Sequence, residues 1–112
     1  MLPRANRLRR ATSFSRVYQS GRSVGGRLLV VRGLRTRPGH PARAGIVVST
    51  KVSKLATVRN RLRRRLRAAI RSKLRAFPGV DLVVIAKPPS RGQPFAALDA
   101  ELNSLLSRLL KT

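Results

Sequence analysis

The chain has 112 residues, of which 26 are lysine or arginine and only 3 are acidic, so its net charge is +23. This length suits a single domain with one modest hydrophobic core. A hydrophobic content of 42% argues against a disordered basic tail. The absence of cysteine excludes disulfide frameworks and cysteine-based zinc sites. Most of the basic residues are arginine, whose planar fork suits phosphate groups, so the composition favours a nucleic-acid partner.

The first ten residues are basic and show little apolar periodicity, which predicts a flexible arm at the start of a single RNA-binding domain over residues 1–112. No apolar run that could serve as a signal peptide follows, and no segment approaches the ~20 apolar residues of a membrane span. We therefore expect a cytoplasmic protein without a membrane partner. A short helix is expected next, with an apolar face made of Phe14, Val17 and Tyr18.

Two apolar runs rich in β-branched residues, residues 27–34 and 43–50, predict strands. A segment rich in proline and glycine separates them. Because strands that follow one another along the chain usually lie side by side, we expect these two to pair as a hairpin.

The central segment, residues 57–77, predicts one long helix whose apolar and basic residues occupy different faces. The apolar stripe recurs at three- and four-residue steps and consists of Val58, Leu62, Leu66, Ala69, Ile70, Leu74 and Phe77. The other faces carry nine basic residues and no carboxylate. A solvated helix face normally mixes charges of both signs, so this density of arginine predicts a polyanionic counter-surface such as an RNA or DNA backbone.

Residues 80–86 give the strongest strand signal, because a continuous apolar run is typical of a central strand that is covered on both faces. A proline-rich loop follows, and a final helix is expected over residues 94–110. The predicted order of elements is α, β, β, α, β, α. It indicates an α+β fold, a two-layer sandwich with helices packed on a small central sheet.

The sequence offers no set of residues for covalent catalysis. Asp81, Asp99 and Glu101 are the only acidic residues, whereas a two-metal hydrolase needs carboxylates that converge on one spot. Asp99 and Glu101 point about 200° apart on a helix, and Asp81 is expected to satisfy backbone groups or an arginine. His40 lies in a turn-rich loop with no second metal ligand near it in sequence. We expect neither a catalytic residue nor a metal site.

Several short motifs follow one another in order along nearly the whole chain. They begin with Asn6-Arg7-Leu8, Phe14 and Tyr18, and continue with Arg43, Gly45, Ile46, Val47, Val48, Ser49, Lys51 and Val52. Arg59-Asn60-Arg61 then opens the arginine-rich helix, and Lys87-Pro88 follows the last strand. In this order, the motifs resemble the signature of the bacterial ribonuclease P protein component.

This resemblance implies the protein subunit of a ribonucleoprotein in which the RNA subunit, with magnesium held mainly by that RNA, removes the 5′ leader from precursor tRNA. The implied partners are ribonuclease P RNA and precursor tRNA. It also implies the fold of a ribosomal protein's second domain, with a left-handed strand-helix-strand crossover. A net charge of +23 resists self-association, so we expect one monomeric protein chain per RNA subunit.

The resemblance assigns two groups of binding residues. Those expected to face the RNA subunit are Arg59, Asn60, Arg61, Arg63, Arg64 and Arg67. Those expected in a cleft that holds the leader are Phe14, Tyr18, Arg32, Ser49, Lys51 and Lys54. Several relatives place an aromatic ring at the position of Arg32, so a cationic contact would replace stacking there. Such a cleft suits leaders of variable sequence, because aromatic rings stack on any base at about 1–3 kcal/mol each.

Three alternatives are kept beside this interpretation. A structural RNA-binding protein, such as a ribosomal protein or an RNA chaperone, would share the composition and the fold class, and only the ordered motifs favour ribonuclease P. A membrane-surface helix ranks lower, because the chain has no tryptophan and the central helix must pack on strands. A DNA-binding protein ranks lower too, because no helix-turn-helix or zinc framework is recognisable.

Overall fold

The structure, a computed structural model, describes residues 2, 4–8, 10–35 and 39–110. Three α-helices and four strands follow one another as α1 (Ala11–Ser20), β1 (Arg22–Gly25), β2 (Leu29–Arg35), β3 (Arg43–Val47), α2 (Ala56–Arg71), β4 (Val80–Ala86) and α3 (Phe95–Leu110). The strands form one sheet in the order β1-β2-β4-β3. β2 is antiparallel to both β1 and β4, and β3 is parallel to β4. The predicted α+β fold class is confirmed.

The predicted hairpin between the second and third strands is wrong, because β4 lies between β2 and β3. β4 pairs with β2 over its whole length and with β3 on its other side, where Val83 is opposite Gly45. β4 is apolar on both faces, and a central position buries both of them. The central, doubly covered strand predicted over residues 80–86 is thereby confirmed. The left-handed sense of the β3-α2-β4 crossover stays a prediction.

β1 is a strand that the sequence does not reveal, because Val24 is its only large apolar residue. Pairing with β2 holds it in place, with Val24 opposite Val31. The adjoining turn is fixed from α3, where the Glu101 carboxylate accepts hydrogen bonds from the backbone N–H groups of Leu28 and Leu29 at 2.8 and 2.6 Å. The edge of the sheet therefore depends on a side chain far away in sequence.

The main core lies on one face of the sheet, beneath α2 and α3. β4 contributes Leu82 and Val84 to it. The helices contribute apolar residues at helical spacing, namely Leu62, Leu66, Ala69 and Ile70 of α2 and Leu98, Leu102, Leu105, Leu106 and Leu109 of α3. Phe95, which has the same spacing at the start of α3, is 44% exposed. Within the described ranges, no helix is both long and apolar enough to cross a bilayer.

α2 ends at Arg71, earlier than the predicted end at residue 77. The ammonium group of Lys73 donates a hydrogen bond of 3.0 Å to the carbonyl of Ala69, which satisfies one of the last carbonyls of the helix. A short 3₁₀ turn at Leu74–Ala76 then carries Leu74 into the same core. The chain must turn here because β4 begins only a few residues later.

α1 packs on the opposite face of the sheet and covers only part of it. Val17 is fully buried there with Leu8 and Val83. Phe14 lies so close to β3 that a Cβ atom at Gly45 would come within 2.4 Å of its ring, so glycine permits this approach. The rest of this face is half-buried beside α1 and is formed by Val30, Val47 and Ile85.

The described part of the predicted flexible arm lies along the free edge of β3. The N–H of Leu8 donates a hydrogen bond of 3.0 Å to the carbonyl of Ala44, and the amide nitrogen of Asn6 donates one of 2.7 Å to the carbonyl of Ala42. Leu2 and Leu8 are each only 4% exposed. This packing differs from the expected flexible arm, because two isolated leucines anchor the segment without forming a periodic pattern.

Candidate nucleic-acid interface

Four residues form one line along the solvent side of α2, and we call this line the α2 ridge. It consists of Asn60, Arg64, Arg67 and Arg71, and all four are exposed. Steps of four, three and four residues keep them within about 60° of one another around the helix axis. Neither of the ion pairs formed among the described residues involves them. The ridge therefore presents uncompensated positive charge.

Two residues predicted to face the RNA subunit, Arg59 and Arg63, donate hydrogen bonds within the protein. Nη1 of Arg59 donates to the carbonyl of Ser53 at 3.0 Å. Arg63 donates from Nη1 to Oδ1 of Asn60 at 2.8 Å and from Nη2 to the carbonyl of Val48 at 3.2 Å. These bonds tie the start of α2 to the loop before it, and they orient Asn60 on the α2 ridge.

Arg61 is exposed on a flank of α2, about 100° around the axis from Asn60. The next basic residue on this flank is Arg65, whose Nη1 donates a hydrogen bond of 2.8 Å to the carbonyl of Gln93 just before α3. The structure thus divides the six predicted residues. Three lie on the α2 ridge, Arg61 lies on the flank, and two arginines are bonded to backbone carbonyls.

The partly covered face of the sheet forms a cleft beside α1. Tyr18 is 41% exposed, and the guanidinium carbon of Arg32 lies 5.4 Å from the centre of its ring. Arg32 also donates a hydrogen bond from Nη2 to the carbonyl of Tyr18. Arg32 and Gly45 are the two sheet partners of Val83, so the ring of Phe14 over Gly45 lies above the same row. The structure brings these three predicted leader residues to one place.

Ser49, Lys51 and Lys54, the other predicted leader residues, lie in the connection from β3 to α2. All three are exposed, and Oγ of Ser49 accepts a hydrogen bond of 3.3 Å from the backbone N–H of Lys51. They follow Val47, where β3 ends, and so lie farther along the strand direction than the row beneath Phe14. They are therefore not part of the stack of Tyr18 and its arginine.

Each acidic side chain of the protein contacts another part of the chain. Asp81 accepts hydrogen bonds of 2.9 and 2.6 Å from Arg43, and this bonding raises the pKa of the Arg43 guanidinium above its ordinary value. Asp81 thus binds an arginine, which is one of the two kinds of partner expected for it. Asp99 of α3 pairs with Lys73 in the segment after α2, and Glu101 accepts hydrogen bonds from the β1-β2 turn. The part of the chain described by the structure contains no group of three or more potential metal ligands.

Sequence reasoning missed two basic residues of this surface. Arg71 extends the α2 ridge by one turn, and its spacing of four residues from Arg67 could have identified it. Arg7 lines a small pocket together with Arg67 and Leu2, so the N-terminal segment adjoins the ridge. The position of Arg7 could not be inferred from sequence, because it depends on how the segment packs against β3.

Comparison with known sequences gives consistent results. The profile of the ribonuclease P family matches residues 2–110. The chain is 44% identical over 110 residues to the ribonuclease P protein component of Gluconacetobacter diazotrophicus, covering 96% of this chain and 94% of that protein. It is 43% identical over 110 residues to the corresponding component of Beutenbergia cavernae, covering 97% of this chain and 92% of that protein.

Solved structures of ribonuclease P proteins have a similar fold. The protein of Staphylococcus aureus matches with a TM-score of 0.82 at 28% identity, covering 96% of this chain and 97% of that chain. The protein of Thermotoga maritima matches with a TM-score of 0.78 at 31% identity, covering 91% of this chain and 96% of that chain. The likeness therefore extends over nearly the whole length of all three chains.

Proposed function

Since the chain belongs to the ribonuclease P protein family, we propose that it is the protein subunit of a holoenzyme that matures the 5′ end of tRNA. One protein chain binds one ribonuclease P RNA and also the leader of precursor tRNA. It thereby promotes endonucleolytic removal of the leader. The protein supplies binding surfaces, and the RNA subunit carries out the hydrolysis.

The α2 ridge is the observation that carries this proposal. Its three guanidinium groups stand on a rigid helix, are exposed, and have no carboxylate partner among the described ion pairs. Arginine forms paired hydrogen bonds with phosphate oxygens, and the ridge is roughly 16 Å long at 1.5 Å per residue, so it can contact more than one phosphate. We assign this surface to the RNA subunit.

The carboxylates support the division of labour between protein and RNA. A protein that held catalytic magnesium would direct several carboxylate oxygens at one point. Here Asp81 binds Arg43, Asp99 binds Lys73, and Glu101 binds backbone N–H groups. These contacts hold the fold together, and the residues present do not fit a magnesium site of the protein's own. We therefore assign the magnesium ions mainly to the RNA.

We assign the single-stranded leader to the cleft beside α1. Its aromatic rings, Phe14 and Tyr18, lie above a sheet row that also carries Arg32, so a base and its phosphate find stacking and cationic partners close together. Lys51 and Lys54 continue this positive charge past the end of β3. Stacking accepts any base, which suits leaders that differ in sequence.

Cleavage of precursor tRNA by a bacterial ribonuclease P RNA at low magnesium, with and without the protein, tests the proposal. We expect the protein to restore cleavage at the mature 5′ position and to cleave nothing in the absence of the RNA. If it binds a cognate RNA subunit without ever stimulating this cleavage, the alternative of a structural RNA-binding protein takes its place.

A further inference from the structure

A pocket lined by arginine lies near the start of α1, and we call it the arginine pocket. Its volume is about 570 Å³, within the range of pockets that bind small ligands. The arginines that line it are Arg4, Arg7, Arg10, Arg16 and Arg43. They come from the N-terminal segment, from α1 and from β3, so the fold and not the local sequence brings them together.

The arginine pocket lies beside the row that Phe14 covers, towards the start of β3. Along β3, Val47 is two residues after Gly45, towards the end of the strand, whereas Arg43 is two residues before Gly45. Because alternate residues of a strand share a face, all three project to the side on which α1 packs. The arginine pocket therefore adjoins the surface assigned to the leader, but none of its described lining residues is among those assigned to the leader.

Charge compensation in the arginine pocket is confined to a single arginine. Arg43 is paired with Asp81, which is only 3% exposed and whose two oxygens both bind that guanidinium. No carboxylate is among the described lining residues, and the hydroxyls of Thr12 and Ser13 complete the polar wall. Four further guanidinium groups in one concave site repel one another unless an anion lies between them.

We propose that the arginine pocket binds a backbone phosphate of the RNA subunit, as a contact additional to the α2 ridge. Phosphate fits because it accepts several charge-assisted hydrogen bonds from guanidinium groups at once. The RNA subunit fits better than the leader because Arg7 lines both this pocket and the small pocket that contains Arg67 of the ridge. The positive surface is thus continuous from α2 across the N-terminal segment to α1. The identity of the RNA rests on the proposed function, whereas phosphate binding itself does not.

Titration of the protein with inorganic pyrophosphate, followed by amide chemical shifts, tests the pocket without any RNA. We expect saturable shifts at Thr12 and Ser13. In the variant Arg10→Ala/Arg16→Ala the affinity should fall about tenfold, because charge-assisted hydrogen bonds are lost. Alanine is favourable at position 16 inside α1, and Arg10 at the N-cap makes no side-chain capping hydrogen bond, so α1 should persist. The control Arg91→Ala/Arg108→Ala removes the same charge from exposed positions outside the pocket, and its affinity should stay within about twofold.

The second measurement is the affinity of the protein for ribonuclease P RNA over a range of salt concentrations. Loss of one or two phosphate contacts should reduce the slope of log K against log salt by about 0.9 for each. We expect this reduction for Arg10→Ala/Arg16→Ala and a smaller one for the control. The preference for precursor tRNA with a leader over mature tRNA should be unchanged, because the cleft is intact.

The outcomes separate failure of this inference from failure of the proposed function. Pyrophosphate shifts spread evenly over exposed arginines, or equal losses in both double variants, would overturn the arginine pocket as a site. Pyrophosphate binding at Thr12 with a loss confined to the leader preference would overturn its assignment to the RNA subunit. If the unmodified protein does not bind ribonuclease P RNA, the proposed function fails, while the pyrophosphate titration still decides whether the pocket binds phosphate.

Discussion

Replacement of Gly45 by alanine should push the ring of Phe14 away from the sheet. A Cβ atom at this position would lie 2.4 Å from Cζ and 2.7 Å from Cε1 of the ring, well inside contact distance. The backbone of β3 cannot withdraw, since it is paired with β4 at Val83. The half-buried ring must therefore move outwards. Overpacking of this kind destabilises proteins by about 1–3 kcal/mol, and we expect Gly45→Ala to lower the free energy of unfolding by this amount.

Urea denaturation followed by far-ultraviolet circular dichroism measures this change. The matched control is Gly25→Ala in β1, where a new Cβ would make an ordinary contact of 3.8 Å with Val30. The control should stay within about 0.5 kcal/mol of the unmodified protein. In a Phe14→Ala background the clash is absent, so the added cost of Gly45→Ala should also fall below about 0.5 kcal/mol. An equal cost in both backgrounds would refute the reasoning.

The same clash has a functional consequence if the cleft binds the leader. A displaced ring no longer lies above the row that carries Arg32, so Gly45→Ala should weaken the preference for precursor over mature tRNA. Binding to the RNA subunit should change little, because the α2 ridge lies on the other side of the sheet and no side chain that lines the arginine pocket is replaced. Equilibrium binding of both tRNAs by the assembled holoenzyme is the measurement.

Three further predictions concern stability and binding. Glu101→Ala leaves two backbone N–H groups of the β1-β2 turn without an acceptor, and urea denaturation should show a loss of about 2–4 kcal/mol of stability. Glu101→Gln keeps one acceptor oxygen and should cost about half of that. Arg64→Ala should reduce the affinity for ribonuclease P RNA, and the slope of log K against log salt, more than Arg63→Ala does, because the guanidinium of Arg63 is bonded to a backbone carbonyl. Equal slopes for the two variants would contradict the assignment of the ridge. Arg32→Ala removes the cation beside Tyr18 and should lower leader-dependent affinity without changing RNA-subunit affinity, as filter binding with and without a leader would show.

The helical stripes and the central strand could be predicted because they are local patterns. Leu62, Leu66 and Ile70 repeat with the helical period, and the run at Val80–Ala86 is apolar apart from Asp81, so each pattern indicates its element and its burial. The basic face of α2 follows from the same periodicity. The predicted leader residues Phe14 and Tyr18 come together because they are four residues apart on α1.

The roles of individual arginines could not be inferred in this way. Arg59, Arg63 and Arg64 are alike in composition and close in sequence, yet the first two bond to carbonyls in the loop before α2 and the third is exposed. The difference depends on where that loop passes, which periodicity does not specify. Helix geometry places Arg64 opposite the apolar stripe, but it does not specify which carbonyls Arg59 and Arg63 reach.

By itself, the sequence determined that the chain folds as an α+β protein, that α2 is basic opposite its apolar stripe, and that only three carboxylate side chains are present. Each of these follows from composition or from a repeat of a few residues. Only the tertiary structure decided that β4 separates β2 from β3, that β1 forms, and that the N-terminal segment completes an arginine pocket. These features depend on contacts such as Glu101 with Leu28, 73 residues apart, and Arg43 with Asp81, 38 apart. Contacts over such separations are set by how whole elements pack, and no local pattern encodes them.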